Sequence, residues 1–247
     1  MQNSTLRNLL LNVYMKCDSF KDAENVFEST PHKDTDTWTS MIGFYVRSNH
    51  LKHAFNLFST MIQEGVNLNG VTCVNALKAC TTSSSLMHVH AYVSGHGPHY
   101  NLYVRNTLLD MYCKHGNIED ALYLFRELPV FSIVSWNTII SGLVQHGLPE
   151  KAFELFHDMK SKGFKPDEVT FLSVIKACTN KLELLHQLHA EMNSNALESD
   201  SFIASALIDM YATFGNMSYA HMILERVSMQ DVPLWNSIIL AYAEHGD

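Results

Sequence analysis

Histidines are the first residues in this chain to invite a chemical reading. His88, His90, His96 and His99 stand close together, and a neutral imidazole is the commonest protein ligand for a metal. His189-Ala190-Glu191 has the form of the first half of a zinc deaminase centre, where the glutamate moves protons beside a metal-bound water. Neither grouping is completed. His88 and His90 are two residues apart, so on a helix they point about 200° from one another. No i, i+4 partner or thiolate pair lies nearby. A deaminase centre also needs a Pro-Cys-x-x-Cys segment, and no Cys-x-x-Cys occurs anywhere in the chain. Cys17, Cys73, Cys80, Cys113 and Cys178 are scattered, and Cys80 and Cys178 each follow an alanine in an apolar stripe. They suit small buried hydrophobes better than ligands or disulfides. The expectation is a chain that is no enzyme, with no catalytic residue, no metal and no cofactor.

The elements that carry these residues repeat. Trp38, Trp136 and Trp235 stand 98 and 99 residues apart. Asn8 to Tyr14 returns as Asn106 to Tyr112 and again as Ser205 to Tyr211 at the same spacings. A fixed period of this kind is the signature of an array rather than of one globular core. Within it, Ala-x2-aliphatic-Phe recurs at Ala23/Phe27, Ala54/Phe58, Ala121/Phe125 and Ala152/Phe156, and in weaker form at Ala220/Leu224. Apolar residues at i, i+3, i+4 and i+7 make one stripe on an α-helix. A second stripe precedes each, as in Ile139, Ile140 and Leu143. Short turns such as His115-Gly116-Asn117 and His146-Gly147-Leu148-Pro149 lie between the two. Glycine suits the end of one helix there, and Pro149 the first turn of the next. Each repeat is therefore expected to be a helical hairpin that buries its stripes on its neighbours.

Bulk properties narrow the functional classes. Of 247 residues, 47% are hydrophobic, and six prolines with eleven glycines leave little room for linkers. No apolar run approaches the roughly 18 residues of a membrane span, so no membrane partner is expected. Met1-Gln2-Asn3-Ser4 is neither an apolar signal nor an Arg-rich transit peptide. A net charge of −8 excludes a general basic surface for nucleic acid. Any nucleic-acid contact must rest on base recognition and a local groove.

Trp136-Asn137-Thr138-Ile139-Ile140-Ser141-Gly142, followed by Met159-Lys160-Ser161-Lys162-Gly163-Phe164-Lys165-Pro166-Asp167, closely resembles the pentatricopeptide repeat. The alternation of 31, 35 and 32 or 33 residues is similar to the plant PLS subclass, which alternates short, standard and long repeats. Val169-Thr170-Phe171, Lys176-Ala177-Cys178 and Leu188-His189-Ala190 resemble its long type, where a Leu-His-Ala segment is expected without any deaminase. On this resemblance the repeats run 4–34 (short), 35–69 (standard), 70–101 (long, shortened), 102–132 (short), 133–167 (standard), 168–200 (long, shortened) and 201–231 (short). A truncated standard repeat at 232–247 follows. The implied fold is an all-α, right-handed α-solenoid of helix-turn-helix repeats.

The resemblance also implies a function. Such arrays bind single-stranded RNA, one base per repeat, read by two side chains. In the family these are the fifth and last residues of a repeat. Carried over, Asn8 with Asp34 and Asn137 with Asp167 match uridine, and Thr39 with Asn69 matches adenine. Asn106 with Ser132 matches cytidine, Ser205 with Asp231 matches guanine, and Asn236 opens a further pair. The long repeats offer Val74 with Asn101 and Leu172 with Asp200, where an apolar residue weakens reading. The implied string is 5′-U-A-n-C-U-n-G-3′, followed by a pyrimidine. Second residues of repeats sandwich the bases in the family. Here they are Thr5, Asp36, Val71, Tyr103, Val134, Val169, Phe202 and Pro233, among which Tyr103, Val134 and Phe202 are candidate stacking residues. The same polar residues also suit helix caps and turns. The tryptophans beside them read as core residues between helices.

The implied role is organellar RNA processing in a mitochondrion or chloroplast, and site recognition for C-to-U editing fits it. Catalysis would come from an editing or deaminase-domain protein in trans, or from a further domain. A protein-binding scaffold is the rival class, favoured by the acidic balance and by Val74 and Leu172. A third reading is a fragment of a longer array, since the chain starts and stops inside repeats without polar end caps.

Overall fold

The computed structural model describes residues 2–95, 101–178, 181–194, 200–227 and 232–245. All regular structure among them is α-helical. Fifteen helices run α1 (Gln2–Lys16), α2 (Phe20–Glu28), α3 (Thr35–Arg47), α4 (Leu51–Gln63), α5 (Gly70–Ala79), α6 (Ser83–Gly95), α7 (Leu102–Lys114), α8 (Ile118–Arg126), α9 (Ile133–Gln145), α10 (Pro149–Ser161), α11 (Glu168–Ala177), α12 (Leu182–Ser194), α13 (Ser201–Thr213), α14 (Met217–Arg226) and α15 (Val232–His245). Consecutive helices pair into hairpins, the construction of an α-solenoid. They form two compact bodies, Met1–Leu128 and Pro129–Asp247.

In the first body α1, α3, α5 and α7 pack side by side in one row, and in the second α9, α11, α13 and α15 do the same. Even-numbered helices lie against their hairpin partners, and most also against the next odd one. The alanine stripe explains that close fit. Ala23, Ala54, Ala121, Ala152 and Ala220 are all 0% exposed, each one turn before an aromatic or leucine that fills the space beneath. Phe156 meets Phe171 edge-on at 5.9 Å, and Phe58 meets Tyr92 in the same way at 6.4 Å. In the row, Gly43 lets α5 approach α3; a Cβ there would lie 2.9 Å from Asn75 Nδ2.

Helix ends follow one rule in each body. After α1, α3, α7, α9 and α13 the chain passes through a left-handed residue: Asp18, Asn49, Gly116, Gly147 or Gly215. The amide after each bonds back across the last turn, as in His50 N to Tyr45 O (2.8 Å) and Asn117 N to Tyr112 O (2.9 Å). These are the closing bonds of Schellman motifs. Helices α5 and α11, only 10 residues each, end without such a residue, at Cys80 and Cys178.

Trp38 and Trp136 are buried, at 2% and 1% exposure, but Trp235 is 40% exposed. The expectation of a core tryptophan thus fails at Trp235. Its helix, α15, packs on α13 and α14 with no further helix beyond it among the described residues.

Candidate functional site

The odd-numbered helices from α3 to α13 share a start that most even-numbered ones lack, α6 with Thr82 Oγ1 accepting from Ser85 N being an exception. Before α3, α5, α7, α9, α11 and α13 stand Asp34, Asn69, Asn101, Ser132, Asp167 and Asp200, and every one accepts a backbone N–H through its side chain. Before α2, α4, α8, α10 and α14 no side chain caps the helix, although Ser19, Asn117 and Asn216 could do so by type. Capping satisfies amides that a helix N-terminus leaves unpaired, and losing it typically costs about 1 kcal/mol. These six residues are the ones the sequence marks as last in a repeat. The caps therefore fall on the side chains for which the sequence also implies a reading role.

The second body holds the most connected of these sites. Asn137 Nδ2 donates to both oxygens of Asp167, at 2.8 and 3.1 Å. Thr170, third residue of α11, donates from Oγ1 to Asn137 Oδ1 (2.5 Å) and lies 2.8 Å from Asp167 Oδ1. Its backbone N–H also reaches that oxygen at 2.9 Å. Burial pushes the Asp167 carboxyl up, yet the Thr170 N–H, the Asn137 amide and the Thr170 hydroxyl outweigh it and hold the group below its ordinary range. Asp167 is thus a carboxylate at neutral pH. Asn137 itself is only 7% exposed.

A parallel arrangement sits in the first body. Thr39 Oγ1 lies 2.6 Å from Thr72 Oγ1, and Thr72 in turn bonds Asn69 Oδ1 through both its hydroxyl (2.9 Å) and its backbone N–H (2.8 Å). In both bodies the fifth residue of one expected repeat and its last residue meet through the third residue of the next.

The remaining pairs are less complete. Asp34 caps α3, accepting from Thr37 N at 2.8 Å and Thr37 Oγ1 at 2.6 Å; the side chains of Thr5, Asn8 and Pro233 lie outside the described residues. Asp231, His96 and His99 lie outside them as well. Asn106 is half-buried on α7 and Ser132 half-buried before α9, in different bodies. Ser205 Oγ is buried with no hydrogen-bond partner among the described residues, and Asn236 is exposed on α15. Val74 is 4% exposed and belongs to the core; Leu172 is half-buried.

In each body the second residues of the expected repeats face solvent. Val71, Tyr103, Val134, Val169 and Phe202 are 57, 62, 59, 53 and 70% exposed, and Asp36 is exposed among them. Water-facing apolar groups at one recurring helical position have no packing role within either body.

Two family models match the chain. That of the "PPR repeat family" covers residues 33–82 and 132–180, and that of the "PPR repeat" covers 97–129. Together they span more than half of the 247 residues. The chain belongs to the pentatricopeptide repeat family. Among similar proteins of Arabidopsis thaliana, one pentatricopeptide repeat-containing protein is 34% identical over 257 residues, covering 99% of this chain and 34% of the relative. A second, named mitochondrial, is 35% identical over 244 residues, covering 97% of this chain and 38% of the relative. A third, named chloroplastic, is 34% identical over 243 residues, covering 96% and 30%. The chain spans about a third of the length of these relatives. Among solved structures, the pentatricopeptide repeat protein PPR10 in complex with an 18-nt psaJ RNA element superposes with a TM-score of 0.62 at 17% identity, covering 96% of this chain and 42% of that one.

In this pentatricopeptide repeat chain two of the catalytic-looking histidines, His90 and His189, have structural partners, and His88 is exposed on α6. His189 is buried on α12 and its Nδ1 lies 3.0 Å from Tyr211 Oη; Glu191 pairs with Lys160 at 2.6 Å. His90 meets Tyr112 Oη in the same way, at 2.8 Å. Burial holds the His90 imidazole below its ordinary range, with Asp120 opposing and Arg105 adding to the effect. Sequence reasoning missed this pairing. The signal was available: both the histidines and the tyrosines recur 99 residues apart, always 22 residues from each other. It also missed Thr72 and Thr170, whose mark is a threonine three residues after an Asn or Asp cap. Among the described residues no group of three or more His, Cys, Asp or Glu could hold a metal, and no helix is long and apolar enough to cross a membrane.

The cysteines of this family member give a direct check on packing. Burial pushes the Cys73 and Cys80 thiols up to about 11 and those of Cys113 and Cys178 up to about 12. Cys17 alone is exposed. Thiolate is the reactive form, so maleimide at pH 7 should label Cys17 rapidly and the other four only in denaturant. Mass spectrometry showing two or more rapid adducts on the folded protein would contradict this packing.

Proposed function

We propose that the chain binds single-stranded RNA by sequence, as part of organellar RNA processing. One observation carries the proposal. At Asn137/Asp167 and Thr39/Asn69, a paired polar edge stands in the same register as exposed apolar groups such as Val134 and Val169. A base needs both things: donors and acceptors for its Watson–Crick edge and an apolar face to lie against. The fold shared with PPR10, whose structure contains RNA, supports the reading.

In this proposal the repeats follow the PLS pattern with boundaries at 34, 69, 101, 132, 167, 200 and 231. The preferred string is 5′-U-A-n-C-U-n-G-3′. Tyr103 and Phe202 stack on bases, each contributing about 1–3 kcal/mol. The site of action is a mitochondrion or chloroplast, as the names of several relatives suggest for those proteins. The RNA serves as a C-to-U editing target, with the deaminase supplied in trans or by a further domain.

Fluorescence anisotropy with labelled RNA tests this. The string should bind more tightly than a scramble of equal composition. With a net charge of −8, few phosphates are neutralised, so affinity should fall only gently with salt. Single strands show a log–log slope of about −0.7 per contacted phosphate. Equal affinity for string and scramble would favour a protein-binding scaffold, and a steep slope would mean contacts to the backbone dominate.

A further inference from the structure

We propose that Thr72, third residue of α5, sets the base specificity of the Thr39/Asn69 pair by fixing the Thr39 hydroxyl as a hydrogen-bond acceptor. This rests on the RNA-reading role proposed above for that pair.

The argument is a count of protons. A threonine hydroxyl has one proton to give and lone pairs to receive. Asn69 Oδ1 accepts the backbone N–H of Thr72 at 2.8 Å, which orients the amide with its oxygen toward the helix start. Thr72 Oγ1 stands 2.9 Å from that same oxygen, which can only accept, so the Thr72 proton goes there. Thr39 Oγ1, 2.6 Å from Thr72 Oγ1, must then supply the proton of their shared bond. With its proton committed, Thr39 offers a ligand only lone pairs. Asn69, with Oδ1 committed to the cap, offers its Nδ2 hydrogens. The pair thus presents an acceptor at one place and a donor at the next.

Adenine fits that order, with N6–H facing Thr39 and N1 facing Asn69. Guanine has O6 and N1–H in the same two places and is mismatched at both. A free hydroxyl at Thr39 would turn to suit either purine. Thr72 is wholly buried at 0% exposure, so it acts through Thr39 as a positioning residue and does not touch the base. The Asn137/Asp167 pair provides the contrast. There a carboxylate, which can only accept, itself receives the Asn137 amide at 2.8 and 3.1 Å and so orients it directly, while the Thr170 hydroxyl reaches Asn137 Oδ1 at 2.5 Å.

The test compares RNAs with A or G at the second nucleotide of the string. Thr72→Val keeps the shape and the capping N–H but removes the hydroxyl. The A-over-G affinity ratio should fall about tenfold, mainly through tighter guanine binding, and Thr72→Ser should restore it. Asn69→Asp serves as the control for base reading itself, since it replaces the donor by an acceptor. If Asn69→Asp changes purine preference while Thr72→Val lowers A and G binding equally, Thr72 is only structural and the inference fails although base reading stands. If neither variant changes preference, base reading fails and the inference with it. Thr72→Ala, which cannot clash, repeats the comparison should the valine variant lose its helical circular dichroism.

Discussion

Replacing Asn137 with threonine should change the preferred base at the fifth nucleotide of the string from uridine to guanine. Asn137 now lays its amide nitrogen across both oxygens of Asp167. The shorter threonine withdraws that donor and uncovers the carboxylate, which remains ionised because the Thr170 backbone N–H still reaches it and the Thr170 hydroxyl, freed from Asn137 Oδ1, lies close enough to donate to it. Guanine, with N1–H and an amino group side by side, can then give the carboxylate two hydrogen bonds. Uracil has one N–H to give and loses the donor its carbonyl met. Discrimination by two such contacts is worth about 1–3 kcal/mol, or roughly tenfold and upward in relative affinity. The measurement is competition among four RNAs differing only at the fifth nucleotide. An unchanged order of preference in a folded Asn137→Thr protein would show that these side chains do not read the base.

A larger effect, on stability, is expected from Trp136→Ala. Trp136 is 1% exposed, between Phe131 at 5.3 Å and Phe164 at 6.1 Å, and it begins the stripe of α9. Removing a buried aromatic of this size costs about 3–5 kcal/mol through lost transfer energy and the cavity left behind. In a stack of repeats, that loss falls on one hairpin and its neighbours. A thermal melt followed by circular dichroism should drop by about 10 °C. Trp235→Ala, at a site 40% exposed, should cost less than half as much. Equal losses for the two variants would mean that the burial difference between α9 and α15 is not real in solution.

The helical hairpins were legible because each stripe is local. Ala152 and Phe156 lie one turn apart, and both are buried where the pattern places them. Helix starts were legible for the same reason, since a capping Asp or Asn acts on amides two or three residues away. The site was only half legible. That Asn137 touches Asp167 depends on bringing together residues 30 apart in sequence, and the role of Thr170 on a contact spanning 33. The resemblance to a family named the pair but not the hydroxyl between its members. Nor could periodicity reveal that Trp235 stays exposed. Its surroundings are set by what packs beyond α15, which is not a property of its own repeat.

The side-chain caps bear on how such an array can change over evolutionary time. Asp34, Asn69, Asn101, Ser132, Asp167 and Asp200 each start the helix that follows. Good caps are few: Asn, Asp, Ser and Thr, with Gly close behind. On the proposed reading, a mutation that alters the preferred base at such a position survives only within that short alphabet, because any other residue also loosens the next helix. Substitutions among its polar members leave the fold nearly untouched while exchanging donors for acceptors. If these positions read bases as proposed, the chain can drift from one RNA sequence to another by single steps, each leading from one stable protein to the next.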